Sequence, residues 1–211
     1  PAVKLEKERE LVGMYLSAHP LDPYYMELNY GCNSSIKAKD EMTPEEDKEI
    51  TFGGMVVDFQ EKPSRRGGNY GILKIEDYTG STEMFLFGQQ FVDFGKYGKA
   101  GTPIMVTGKF QRRFKSEELR FNIINIKLLE DVKGQLLSGI TIKLDTSNIN
   151  PMLMDVLDEH IASSAEDRRP LSFTVFDPEI NRTVKLASNR SIPLNRDLTT
   201  KLESMDIEFT I

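Results

Sequence analysis

Between Ile50 and Leu129 the chain runs in short apolar stretches and alternations punctuated by glycine, and this β pattern restricts the fold more than any other feature. Ile50–Phe59 reads as a strand interrupted at Gly53-Gly54, where a bulge or tight bend is expected. A loop with Pro63, Gly67 and Gly68 follows. Tyr70–Asp77 then alternates, with Leu73 and Ile75 on one face and Tyr70, Ile72 and Lys74 on the other. Thr79-Gly80 marks a turn before the strand Thr82–Phe87. Gly88–Tyr97 reads as a short helix, and two further strands, Ile104–Arg113 and Leu119–Leu129, are joined by a charged turn.

Five strands with a helix between the third and fourth, the first bent at glycines, predict an oligonucleotide-binding barrel (OB-fold) over residues 49–132. An SH3-like barrel would lack the intervening helix. Ahead of the barrel, residues 1–48 read as a helical lead-in and a polar, acidic linker, the helix ending at His19-Pro20. After it, residues 137–211 follow the order βαββαβ. They predict a small α+β domain of the split, ferredoxin-like kind, its first helix opened by Asn150 and Pro151.

Composition narrows the class. No stretch approaches the ~20 apolar residues of a membrane span. The single cysteine, Cys32, leaves no internal disulfide, and no Cys/His cluster has zinc-ligand spacing, so no cofactor is expected and a reduced, cytoplasmic setting is. The first residue is Pro1, which suggests a piece of a longer chain.

Charge is distributed unevenly. Residues 60–120 hold eleven basic and seven acidic residues, about +4, so the rest of a chain of net −6 carries about −10. A cationic module in an acidic chain points to a polyanionic partner. In an OB-fold the ligand groove lies between the loop joining strands one and two, the loop joining strands four and five, and the outer face of strands two and three. Lys62, Arg65 and Arg66 fall at the first loop, and Arg112, Arg113 and Lys115 at the second. Tyr70 and Lys74 share the outer face of strand two. Phe85 or Phe87 joins them, since strand three is apolar on both sides and its facing stays open. With Lys109, these form the candidate set for single-stranded nucleic acid: cations following phosphates, aromatic faces stacking on bases.

Other patterns point to structure rather than chemistry. His160, near a helix end, reads as a charge–dipole partner. Asp77 precedes a Thr-Gly turn, where an aspartate usually bonds the turn backbone. Cys32 has no adjacent cation to activate it. No phosphate-binding loop or nucleophile motif occurs.

Several stretches carry a resemblance. Glu8–Tyr24 (ERELVGMYLSAHPLDPY), Ile50–Val57 (ITFGGMVV), Lys74–Phe87 (KIEDYTGSTEMFLF) and Pro103–Phe110 (PIMVTGKF) resemble, in this order, the C-terminal region of the alpha subunit of bacterial DNA polymerase III. The resemblance implies a parent enzyme that extends a primer by two-metal phosphoryl transfer, using Mg held by palm carboxylates that precede this region. It implies an OB-fold near single-stranded template DNA and a last domain that binds a clamp-loader subunit. The expected function is thus a non-catalytic part of a replicative DNA polymerase, with no membrane contact. The alternative is a protein–protein interaction module whose cations only solvate it, and a hydrolytic site at Glu76/Asp77 is a third reading.

Overall fold

The computed structural model describes residues 19–64, 67–112, 118–147, 149–165 and 167–211. The expected helix ahead of His19 therefore lies outside the described residues. Contacts divide the chain into a first unit ending at Lys133 and a second running from Gly134 to Ile211.

In the first unit, the alternation read from the sequence becomes a wall. Strand β1 (Glu49–Pro63) pairs antiparallel with β4 (Pro103–Arg112) through its first half and with β2 (Asn69–Glu76) through its second. Strand β3 (Ser81–Leu86) pairs with β2, and β5 (Leu119–Leu128) pairs with β4, giving the order β3-β2-β1-β4-β5. One long strand shared between two partners is how a five-stranded sheet curls around a core. Here the core holds Phe52, Val56, Leu73, Ile75, Leu86, Ile104 and Ile126. Helix α2 (Gln89–Phe94) lies between β3 and β4 in sequence, where a helix was expected, and a single turn, α3 (Leu129–Val132), follows β5.

Two expectations change. The register shift of β1 falls between Val56 and Asp58, not at the glycine pair, through which the strand continues. The glycines answer to crowding: a Cβ on Gly54 would stand 2.8 Å from the Glu76 carbonyl oxygen, and one on Gly53 would stand 2.4 Å from Leu28 Cδ2. The segment read as linker is built into the barrel as well. Helix α1 (Ile36–Glu41) opens at Ser35, whose hydroxyl accepts from the Ala38 amide at 3.2 Å, and Ile36 enters the core. Its polarity reflects a short helix with one buried face.

In the second unit, β6 (Ile140–Asp145), α4 (Pro151–Ala162), β7 (Arg168–Asp177), β8 (Arg182–Pro193), α5 (Arg196–Ser204) and β9 (Phe209–Thr210) keep the expected order. Asn150 accepts from the Met152 amide and Asn195 from the Leu198 amide, so each longer helix starts at an Asn cap. Arg168 donates to the carbonyls of Ile161 and Ser163, satisfying groups the end of α4 leaves open. The ferredoxin-like expectation is corrected by the pairing. Strands β6 and β7 are adjacent and parallel, and the sheet order is β8-β7-β6-β9. A split arrangement would place another strand between that parallel pair. Element order alone does not specify which strands become neighbours. No described helix is long and apolar enough to cross a membrane.

Candidate nucleic-acid interface

Antiparallel pairing aligns outward side chains in rows across β1, β2 and β3. Lys62 stands opposite Tyr70, Gln60 opposite Ile72, and Asp58 opposite Lys74. Ile72 in turn stands opposite Phe85, and Lys74 opposite Glu83. Because Met84 and Leu86 point into the core, Phe85 points out, which resolves the facing of β3. Phe85 is 49% and Phe87 55% exposed. Their rings are 6.2 Å apart and nearly parallel, and Tyr70 stacks on Phe87 at 5.1 Å. Three aromatic rings thus form one exposed platform on the outer face of β2 and β3.

The two phenylalanines sit where two hollows meet. One, of about 940 Å³, is walled by Ser64, Gly67, Gly68, Tyr70 and Phe91, beside the β1–β2 hairpin. The other, of about 620 Å³, lies between β3 and β5 and is lined by Lys39, Gln90, Arg112, Arg120, Phe121 and Asn122 among others. Phe85 and Phe87 line both, so the hollows form one groove running from the first hairpin to the start of the second. The gap between the edge strands is bridged by α2: the Gln90 amide donates to Asn122 Oδ1 at 3.0 Å and to the Ile123 carbonyl at 2.7 Å.

The candidate residues divide accordingly. Tyr70 and Phe85 meet in the groove, with exposed Lys62 in register beside Tyr70. Lys74 shares their face but stands between Asp58 and Glu83, which offset its charge. Arg112 lines the groove while its Nε donates to both Glu46 carboxylate oxygens at 2.9–3.0 Å. Lys109 lies on β4 with its ammonium 3.8 Å from Glu49 and lines neither hollow. Arg65, Arg66, Arg113 and Lys115 lie outside the described residues.

Several lining residues were not in the candidate set. Arg120 and Asn122 alternate on β5, and a period-two reading of that strand could have placed them together. Lys39 carries no such signal, because its helix was read as linker.

The remaining polar candidates are structural. One Asp77 oxygen accepts from the Thr79 amide, the Thr79 hydroxyl and the Gly80 amide at 2.7–3.0 Å. The other accepts from the Ile36 amide at 2.8 Å, tying the β2–β3 turn to the start of α1. His160 is buried, with its ring nitrogens 2.8 Å from the Val156 carbonyl and 3.1 Å from Asp197. Burial, followed by the nearby Glu27 and Asp77, pushes the Cys32 thiol up to about 12.

A curled five-stranded sheet of order β3-β2-β1-β4-β5 with a helix between β3 and β4 is an OB-fold, and residues 50–129 match the model of the OB-fold nucleic acid binding domain (tRNA_anti-codon). Over nearly its whole length the chain resembles the alpha subunit of DNA polymerase III. The Haemophilus influenzae subunit is 23% identical over 95% of this chain, and the Pasteurella multocida subunit 24% identical over 98%. The chain spans only 17% and 18% of those relatives' lengths. Among solved structures, a replication protein A domain from Methanococcus maripaludis matches 43% of this chain and 90% of its own at 24% identity and TM-score 0.31. The Rim1 mitochondrial single-stranded DNA binding protein of S. cerevisiae matches 39% of this chain and 96% of its own at 18% identity and TM-score 0.30.

Proposed function

We propose that this chain is a non-catalytic part of a replicative, cytoplasmic DNA polymerase alpha subunit whose barrel holds single-stranded template DNA. The observation that carries the reading is the Tyr70–Phe87–Phe85 platform, with exposed Lys62 in register beside Tyr70 at one end and Arg112 and Arg120 lining the hollow at the other. Exposed aromatic faces stack on any base, and cations at both ends follow the backbone, so the groove holds a strand by position rather than by sequence. Catalysis and its Mg ions belong, on this reading, to other parts of the parent polymerase. The second unit docks a clamp-loader subunit. Its exposed Val184, Leu186 and Ile180 offer an apolar surface for such a contact.

Fluorescence anisotropy with labelled oligo-dT tests the groove. Stacking is worth about 1–3 kcal/mol per base, so Phe85→Ala/Phe87→Ala should weaken binding at least about tenfold. Unchanged affinity in a folded double variant would remove the platform from the mechanism. It would favour the rival reading, in which these rings pack on another protein.

A further inference from the structure

The hollow between β3 and β5 is chemically unlike the rest of the groove. Its floor holds Lys39, which is only 7% exposed, with its ammonium 5.4 Å from the Phe52 ring centre and 5.5 Å from that of Phe121. The ammonium pairs with the carboxylate of Asp40. One wall is an oriented chain of amides: Gln90 donates to Asn122 Oδ1, and Asn122 Nδ2 donates to Gln111 Oε1 at 3.0 Å. Phe85, Phe87, Glu83, Arg112 and Arg120 also line the hollow.

From this the geometry points to a base-selective subsite: one base of the bound strand enters the gap between β3 and β5 with its keto edge toward Lys39. This rests on the single-strand reading above and adds to it a preference that stacking alone would not produce. An ammonium has three donors and no acceptor, so it favours a carbonyl oxygen over an amino group at the same place. Uracil and thymine present O4 there, where cytosine presents an amino group. Arg112, held by Glu46, and Arg120, held by Glu118 at 2.9 Å, reach the flanking phosphates by exchanging those carboxylates for them.

Oligo-dU and oligo-dC of equal length isolate the keto–amino difference and are titrated against the whole chain by anisotropy. The expected result is about fivefold tighter binding of dU, falling to parity in Lys39→Met, which keeps the apolar stem against Phe52 and Phe121. Equal affinity in the wild type, or a preference that survives Lys39→Met, overturns the subsite while leaving the groove standing. Failure of both oligonucleotides to bind overturns the single-strand reading itself. If Lys39→Met does not fold, photocrosslinking of 4-thiouracil-containing strands to the wild type decides. Adducts at Phe121–Ile123 support the subsite, and adducts confined to residues 63–70 contradict it.

Discussion

A buried carboxylate and a half-buried thiol make opposite demands at the residue scale. Asp77 is a buried carboxylate kept tolerable by four donors, from Ile36, Thr79 and Gly80. Asp77→Ala leaves those donors without their acceptor and should cost about 3 kcal/mol in urea unfolding, with Asp77→Asn costing less because an acceptor oxygen remains. Among the described residues, Cys32 meets burial and the nearby Glu27 and Asp77 instead of such donors. Its thiol is raised from 9.0 to about 12, so the folded state holds the proton that the unfolded state releases. That contribution to stability is complete below pH 9 and is lost as pH rises from 9 toward 12. Cys32→Ala should therefore flatten the alkaline decline of the melting temperature. In the wild type, alkylation at pH 8 should be slow until denaturant is added.

Local patterning largely predicted the elements, while their neighbours were decided by contacts the pattern does not carry. Alternation in Tyr70–Asp77 made β2 legible, and Asn150-Pro151 made the start of α4 legible. Strand β3 is apolar on both faces because Phe85 and Phe87 belong to the groove and Met84 and Leu86 to the core, so period two alone could not orient it. The linker reading failed because burial of Ile36 is set by the Asp77 turn, forty-one residues away in sequence. The same turn joins the described parts of two resembling motifs: Tyr78 donates to Asp22 at 2.9 Å and its ring lies 4.3 Å from that of His19. Gly54 is likewise an element-scale requirement. Gly54→Ala should push β1 from the Glu76 carbonyl and cost about 2 kcal/mol, read as a shifted urea midpoint.

For the molecule as a whole, acidic composition and a cationic groove are compatible because the charges are segregated along the sequence. Even within the groove the charge is partly offset, Arg112 by Glu46 and Arg120 by Glu118, and on the neighbouring face Lys74 stands between Asp58 and Glu83. On the proposed reading, the rest of the attraction falls to Lys62, to the aromatic platform and to Arg65, Arg66, Arg113 and Lys115, which the sequence assigns to the hairpins and which lie outside the described residues. A salt titration of labelled oligo-dT binding reads that balance directly. The account predicts a linear loss of log affinity with log salt, about −0.7 per phosphate neutralised, that becomes shallower in Arg65→Ala/Arg66→Ala/Arg112→Ala for any base composition. Binding that ignores salt, or a triple variant with the slope and affinity of the parent, would contradict it.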